Sequence, residues 1–279
     1  MALQRRRNTG SELLLSFAHP ASKTDHLKPM QDLTQSEASM QPYVQASEFD
    51  TSLLDNPILN ALSTEHEGLA VKNGQVRRYP AAIGPLSGMP DQSEANYLSL
   101  RALAGPGGVV GLFLEEKPAP PAGWTLLRGG VLGQMICFEP VRNESSVADG
   151  VEVRRLTQDD VPAMMELAKL TEPGPFREKT SDLGLFLGIF EGKMLLAMVG
   201  QRMHLPQFVE VSAVCTHPDA RGRGYARLLI QRVNAEIRER GKVPILHSFA
   251  DNWPAIRVYE SLGFTMRRTF ELAILKNEG

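Results

Sequence analysis

A short run of arginine and glycine, from Arg221 to Gly224, has the composition of an anion-binding turn. An amphipathic helical pattern begins directly after it. The first turn of a helix leaves about four main-chain N–H groups unpaired and carries roughly half a positive charge. Glycines there remove the side chains that would keep an anion away from the backbone. The stretch from Arg221 to Ala226 therefore predicts a cradle for a phosphate or a pyrophosphate.

Three better-known motifs do not fit this stretch. The dinucleotide fingerprint GxGxxG needs Gly or Ala at the sixth position from Gly222, where Arg227 stands. The Walker A pattern, GxxxxGK followed by Ser or Thr, does not occur in the sequence. An RNA-binding arginine-glycine tract would be repeated, whereas this one occurs once and runs into a helix. A solvated arginine turn that caps a surface helix stays open as the plain alternative.

A second group of polar residues belongs to a later helix. Asn252 begins the pattern NWPAIRVYESLGF, in which Tyr259 falls two helical turns further on and Gly263 ends the helix. Asparagine is a common N-cap, and a tyrosine with a reference pKa of about 10 is protonated at neutral pH. Together with these residues, the turn from Arg221 to Gly224 is better interpreted as an anion site than as a plain surface turn.

With these residues the chain resembles the GNAT superfamily of acyl-CoA-dependent N-acyltransferases. Arg221, Gly224 and Ala226 match that family's signature of Gln or Arg, then Gly, then Gly or Ala. The resemblance covers about residues 151–279 and implies an α/β (α+β) fold, with a mixed, mostly antiparallel sheet flanked by helices. It implies that a short acyl group passes from acetyl-CoA, or another acyl-CoA, to a primary amine by direct attack in a ternary complex.

The resemblance also assigns binding roles. It implies that the pyrophosphate of coenzyme A is held by Arg221, Gly222, Arg223, Gly224, Tyr225 and Ala226, chiefly through main-chain N–H groups. Val214 and Thr216, on the preceding strand, would pair their backbone with the pantetheine arm. Asn252 would contact the same arm, a role that is compatible with capping its helix.

Acyl transfer needs an amine that has lost its proton. At pH 7 this costs about 4.6 kcal/mol for a lysine-type amine and about 1 kcal/mol for an α-amine, so the first kind needs a general base more. By the resemblance Glu210, on the strand 11 residues before Arg221, is the expected base. The alternative stays open that Glu210 faces solvent and that His247 or water acts as the base. Tyr259 is expected to donate a proton to the departing thiolate, and the mechanism needs no nucleophilic side chain.

Hydrophobic periodicity predicts the elements that must position these groups. From residue 150 to 279 the order is β-α-β-β-β-α-β-α-β. Thr157, with Asp160 three residues on, predicts a capping box at the start of the first helix. The turn Gly192-Lys193 separates two strands. The segment 171–182, with Phe176 and Arg177, is a plausible lid over the acceptor.

The first half carries no constellation recognisable as catalytic. Residues 1–45 predict a disordered lead-in, although a targeting segment stays open. Residues 46–145 predict a smaller α+β lobe, loosely similar to the partner lobe of glycine N-acyltransferase-like proteins, that shapes the acceptor site or braces the sheet. Within it the sequence predicts helices at 52–64 and 94–103, a strand at 107–116 and a strand pair at 124–140. A linker over 141–150 leads to the catalytic domain, 150–279.

Composition bounds the partners. The net charge of −2 and the 42% of apolar residues are ordinary for a soluble globular protein and argue against nucleic acid or membrane partners. Two distant cysteines predict a reducing, cytoplasmic setting, and the histidine spacing predicts no metal. We expect a small-molecule or peptide amine as acceptor and a monomer or homodimer. Two alternative functions stay open. The first is a regulatory domain that binds CoA without turnover, and the second is a protein that binds a nucleotide phosphate unrelated to CoA.

Overall fold

A computed structural model describes residues 49–139 and 151–279 of the chain. The expected lead-in over 1–45 and the expected linker over 141–150 lie outside the described residues. Among the helices that are described, none combines the length and the apolar composition needed to cross a membrane.

The second half contains the predicted elements in the predicted order. They are β6 Glu152–Arg155, α3 Val161–Thr171, β7 Phe186–Glu191, β8 Met194–His204, β9 Phe208–Thr216, α4 Tyr225–Glu239, β10 Val243–Phe249, α5 Trp253–Glu260 and β11 Thr265–Asn277. The capping box between Thr157 and Asp160 is present and starts a single 3-10 turn that leads into α3. Local sequence signals therefore determine where most of these elements begin.

The first half contributes shorter elements and one long strand. They are α1 Pro57–Ala61, β1 Val71–Asn73, β2 Val76–Arg78, β3 Ser87–Gly88, α2 Glu94–Ala104, β4 Val109–Leu114 and β5 Trp124–Ile136. The prediction of a strand pair at 124–140 is wrong, because β5 is one continuous strand. Gly129 and Gly130 do not turn; they lie extended opposite Ala273 and Leu272 of β11. The partner of this strand comes from the far end of the chain, so no hairpin is needed.

One eight-stranded sheet organises the molecule, in the order β4-β11-β5-β10-β9-β8-β7-β6. The pairing is antiparallel except between β9 and β10, which confirms the mixed, mostly antiparallel fold. The predicted boundary near residues 145–150 does not divide this sheet. Strand β5, from the first half, lies between β10 and β11, because each of those strands would otherwise present an unpaired edge. The first half is thus not a lobe that stands apart from the sheet of the second.

The parallel strands β9 and β10 separate part of the way along. They pair only where residues 243–245 lie opposite residues 208–210. Beyond that point β9 continues to Thr216 and β10 to Phe249 without pairing to each other. We call this divergence the fork, and it opens a passage through the sheet.

Different layers cover the two faces of the sheet at the fork. Leu246 packs with the helices α4 and α5, whereas its neighbour Ile245 packs with residues of the first half, so the two faces have different partners. Helix α3 covers the second face further along β8 and β9, where Met198 and Cys215 contact it. The fork therefore connects an α4/α5 face to a face shared by α3 and the first half.

Candidate functional site

A cleft of about 690 Å³ runs through the fork. Most of the residues singled out in the sequence line it: Val214, Thr216, Arg221, Gly222, Gly224, Tyr225, Ala226, Asn252 and Tyr259. Two do not, namely Arg223 and Glu210. Residues of the first half, Leu86, Phe113 and Leu132, complete the wall. The fold thus gathers residues from both halves of the chain around one cavity.

The turn before α4 has a backbone that only glycine adopts readily. Gly222 has a φ of +78° and Gly224 a φ of +77°, and a Cβ at either position would meet nothing within 4 Å. Glycine is therefore needed here because of the positive φ angles, since there is space for a side chain at both positions. Gly224 is the N-cap of the 15-residue helix α4 and offers no side-chain cap. The N–H groups of the first helical turn are therefore left to whatever occupies the cleft.

The three arginines near this turn are used differently. Arg221 lines the cleft, and its side chain has no hydrogen-bond or ion-pair partner among the described residues. Arg223 instead points to Glu191, at 3.5 Å, and to the carbonyl oxygen of Asp219. Arg227 donates from Nη1 to the hydroxyl of Ser261 at 2.7 Å. The expected contribution of Arg223 to the anion site is thus limited to its main chain, and Arg221 is the cation that remains available.

Strand β9 presents a free edge and a bulge to the cleft. Its pairing with β10 ends at Glu210, so the backbone that carries Val214 and Thr216 has no strand partner on that side. The register with β8 shifts near Ala213, which has a φ of +51°. A left-handed alanine costs roughly 1–2 kcal/mol, and such bulges re-aim the backbone at functional sites. Alanine carries no sequence signal for a bulge, so the sequence prediction missed this feature.

Tyr259 and Asn252 line the same cleft as the turn. Burial raises the pKa of Tyr259 to about 12, and its ring packs edge-on against Phe264 at 6.2 Å. The Tyr259 hydroxyl has no hydrogen-bond partner within the described part of the chain. Asn252 caps α5, with its Oδ1 accepting a hydrogen bond from the N–H of Ala255 at 3.4 Å. The phenol is therefore a protonated donor that borders the cleft.

Glu210 does not have the environment expected of a general base. It is fully buried, and its carboxylate accepts from Arg202 Nε at 2.7 Å, from Arg202 Nη2 at 2.5 Å and from His247 Nδ1 at 2.8 Å. Burial alone would raise the pKa of Glu210, but the Arg202 charge and these hydrogen bonds outweigh burial and lower the pKa to about 2. The expectation of a basic Glu210 is therefore corrected: the carboxylate has no access to the cleft and little affinity for a proton.

His247 is held in one tautomer by a network that reaches the first half. Its Nε2 accepts from Gln134 Nε2 at 3.0 Å, because the amide oxygen of Gln134 already accepts from Arg267 at 2.9 Å. Arg267 in turn pairs with Asp55 at 2.7 Å. His247 therefore keeps its proton on Nδ1, toward Glu210. The ring lines the cleft with little exposure, 4.9 Å from the ring of Phe113.

The end of the cleft beyond the fork is apolar. We call it the apolar compartment, and its walls are Leu86, Phe113, Leu132, Phe249, Leu272 and Ile274. These positions come from four strands and a loop, far apart in the chain. Their alternating pattern identifies them only as core positions, so the sequence held no signal that they border a cavity.

The segment 171–182, expected as a lid, borders the cleft over part of its length. Residues 171–175 line the cleft. Phe176 instead packs edge-on against Phe186 at 5.8 Å, and the N–H of Arg177 donates to the hydroxyl of Thr180. Phe176 and Arg177 are therefore parts of the framework and do not close over a ligand.

The two cysteines of the described residues are packing residues. Both are free and buried, and burial raises the pKa of Cys215 to about 12, which keeps its thiol protonated. In the described ranges, 49–139 and 151–279, no group of three or more His, Cys, Asp or Glu side chains could hold a metal ion.

The forked mixed sheet, the glycine turn at the start of α4 and the cleft between them define an acetyltransferase fold. The sequence model of the FR47-like protein family matches residues 186–272. A crystal structure from Novosphingobium aromaticivorans, described as a GNAT-family acetyltransferase, is 41% identical, covers 81% of this chain and 99% of its own, and superposes with a TM-score of 0.73. This chain therefore belongs to the GNAT family.

Two further relatives extend the comparison. A GCN5-related N-acetyltransferase from Kribbella flavida shares the fold at 17% identity, with a TM-score of 0.51, over 80% of this chain and 96% of its own. The mycothiol acetyltransferase of Thermomonospora curvata is 38% identical over 138 residues, which is 46% of this chain. The match spans only 42% of that longer protein.

Proposed function

We propose that this protein is an N-acetyltransferase that moves an acetyl or other short acyl group from acyl-CoA to the primary amine of a small molecule. One observation carries the proposal: an uncapped glycine turn, the free edge of β9 and the Tyr259 phenol border the same cleft. Family membership supports the same chemistry. The amine attacks the thioester directly, in a ternary complex.

The α4/α5 side of the fork is the side for the co-substrate. The N–H groups from Gly222 to Ala226 hold the pyrophosphate, and the Arg221 guanidinium adds the positive charge. The unpaired edge of β9 at Val214 and Thr216 pairs with the amide groups of the pantetheine arm, as an added strand would. Asn252 borders the same track from the start of α5.

The transfer step requires a donor for the thioester oxygen and one for the departing sulfur. The bulge at Ala213 turns main-chain N–H groups of β9 toward the fork, where they donate to the carbonyl oxygen as it gains charge. Tyr259 donates to the sulfur. A phenol with a pKa of about 12 binds its proton more tightly than a thiol with a pKa of about 8.5, so a hydrogen bond to the thiolate is favoured over full proton transfer.

The acceptor amine loses its proton without a dedicated carboxylate. Glu210 is committed to Arg202 and His247, and both nitrogens of His247 are already hydrogen bonded. Water at the fork therefore carries the proton away. This route suits an amine of low pKa, for which the free-energy cost of deprotonation at pH 7 is about 1 kcal/mol.

Thiol release from acetyl-CoA, together with calorimetric acetyl-CoA binding, tests the proposal. We expect binding and acceptor-dependent thiol release, with the acetylated amine identified by mass spectrometry. Tight binding without release for any acceptor would favour a regulatory CoA-binding domain. Absence of acetyl-CoA binding would overturn the proposal.

A further inference from the structure

The apolar compartment has room for a substrate group, and its apolar wall favours an apolar group. Its side chains come from β4, β5, β10, β11 and the loop before β3, all on the face opposite α4 and α5. Glycines let the walls of this face pack closely: a Cβ on Gly130 would lie 2.8 Å from the ring of Phe249, and one on Gly111 would lie 3.2 Å from Ile274 and 3.4 Å from Leu86. The compartment is thus a built cavity beyond the point where the fork opens.

The charges that border the cleft disfavour a cationic acceptor. Among its described lining residues Arg202, Arg221 and Arg227 are basic, and Glu172 is the acidic one. Glu172 is not free, because its charge acts on the neighbouring Arg128 guanidinium, which in turn lies 5.1 Å from the Phe249 ring. A second ammonium group on the acceptor would meet Arg202 at the fork, and among the described lining residues only Glu172, which already acts on Arg128, could offset that repulsion.

Arg202 supplies one polar contact at the edge of the compartment. Its Nε and Nη2 are bound to Glu210, but no described residue accepts from its Nη1. The side chain is 14% exposed and lines the cleft. One edge of a rigidly held guanidinium therefore remains available to an oxygen atom of a ligand.

We propose that the acceptor is a small primary amine with one apolar body and one hydrogen-bond-accepting oxygen, the chemistry of an apolar α-amino acid. This inference rests on the proposed function. The apolar side chain enters the compartment, and a carboxylate oxygen accepts from Nη1 of Arg202. The α-amine is then directed at the thioester. The new C–N bond forms as the C–S bond breaks; water at the fork takes the proton of the amine, and the thiolate leaves hydrogen bonded to Tyr259 and takes a proton from solvent.

A substrate panel at saturating acetyl-CoA tests the acceptor class. We expect kcat/KM for leucine and phenylalanine to exceed that for glycine by about tenfold or more, from burial of the side chain. At equal concentrations of the unprotonated amine, their decarboxylated counterparts, isoamylamine and phenethylamine, should be about tenfold poorer, since the contact to Arg202 is lost. Spermidine and the side-chain amine of Nα-acetyl-lysine should be poorer still.

Three results would overturn the inference while the proposed function stands. Spermidine or Nα-acetyl-lysine as the best acceptor would contradict the apolar class. Equal rates for leucine and isoamylamine would remove the role of Arg202. A kcat/KM for hexanoyl-CoA well above that for acetyl-CoA would mean that the compartment receives the acyl chain instead. Absence of thiol release with every acceptor would instead indicate failure of the proposed function.

A pair of variants isolates Arg202. In the double variant Arg202→Met, Glu210→Gln the buried pair is replaced as a unit, which leaves no unpaired charge. We expect its preference for leucine over isoamylamine to fall about tenfold, with its affinity for acetyl-CoA unchanged because the glycine turn lies at the other end of the cleft. Arg202→Lys keeps a positive charge beside Glu210 and should retain part of the preference for leucine over isoamylamine. An unchanged preference in the double variant would exclude the proposed contact.

Discussion

The two ends of the cleft are built by opposite means. At the α4 end the cleft is lined by the backbone of an exposed turn, in which the positive φ angles of Gly222 and Gly224 favour glycine. At the fork the groups are buried side chains, Arg202, Glu210 and His247, that satisfy one another. A backbone site is already formed when its turn is formed. A side-chain network of this kind exists only when every strand that contributes to it is in place.

This difference determines which changes each end tolerates. The turn should tolerate changes around its two glycines but not at Gly222 or Gly224, where any other residue is strained. The network should accept only changes that keep its charges balanced, because an uncompensated buried ion is costly. The contrast can be tested one end at a time.

The largest effect is expected from breaking the buried pair. Arg202→Met leaves the Glu210 carboxylate without its main partner and should lower the free energy of unfolding by about 3–5 kcal/mol. Urea unfolding measures this quantity. Arg155→Met is the matched control, since its partner Glu236 is 2.8 Å away but the Arg155 side chain is 62% exposed; the loss should be at most about 1 kcal/mol. Equal losses for the two variants would mean that the buried pair contributes no more to the free energy of unfolding than an exposed ion pair does.

Removal of the Tyr259 hydroxyl should affect turnover and not stability. Tyr259→Phe is expected to lower kcat by about 100-fold, because the departing sulfur loses its donor. Tyr97→Phe is the control: burial raises the pKa of Tyr97 to about 12 as well, but this residue lies in the first half, hydrogen bonded to Gln92. Stopped-flow or steady-state thiol release measures both. Unchanged turnover in Tyr259→Phe would contradict its role.

The turn can be tested with two glycines at opposite ends of one helix. Gly224 and Gly241 flank α4 with φ angles of +77° and +69°, and a Cβ meets nothing within 4 Å at either position. Alanine at either site should therefore cost a similar 1–2 kcal/mol or so in strain. Only Gly224→Ala should raise the KM for acetyl-CoA, by about tenfold, since its turn faces the cleft. A matching rise for Gly241→Ala would show that the effect reflects strain alone.

As the pH falls, the protein should lose stability through two buried histidines before Glu210 is protonated. Burial lowers the pKa values of His66 and His204 to about 4, and their rings are stacked 5.0 Å apart. The unfolded chain binds protons at these histidines from pH 6.5 downward, whereas the folded chain does not. Their stabilising contribution is thus complete above about pH 6.5 and lost as the pH falls to about 4.

We expect the free energy of unfolding to fall by about 2 kcal/mol per pH unit in this window, about 1 kcal/mol from each histidine. Glu210, whose pKa is lowered from 4.5 to about 2, loses its contribution only below that range. His204→Gln should flatten the slope, because it removes one of the two buried histidines. Urea unfolding at pH 7, 6 and 5 provides the comparison. A slope that His204→Gln does not alter would rule out this pair as its origin.

Features with a local cause were predictable from the sequence. Asn56 and Pro57 start α1, Thr157 starts the turn before α3, and the glycines at 222 and 224 form the turn before α4. In each case the physical reason, a cap or a positive φ, acts within four residues of the signal. Element order and the cleft-facing position of Tyr259 followed from the same kind of information.

Features that depend on strand register were not predictable. Arg202 lies only eight residues before Glu210, yet the bulged pairing of β8 and β9 decides that the two side chains meet. Gln134 reaches His247 because β5 lies beside β10, more than 100 residues later in the chain. The general base was therefore misjudged for a physical reason: an isolated glutamate in a strand gives no indication of the cation that will neutralise it.

The placement of β5 has a consequence for how the chain is made. Residues 124–136 leave the ribosome well before their partners at 243–249 and 265–277 exist. At roughly 5–20 residues per second the strand waits about ten seconds with both edges open. Long-range pairing of this kind folds slowly, and an open apolar edge invites association with other chains. We expect the nascent chain to depend on chaperones until its last strand has been synthesised, and the second half expressed by itself to aggregate.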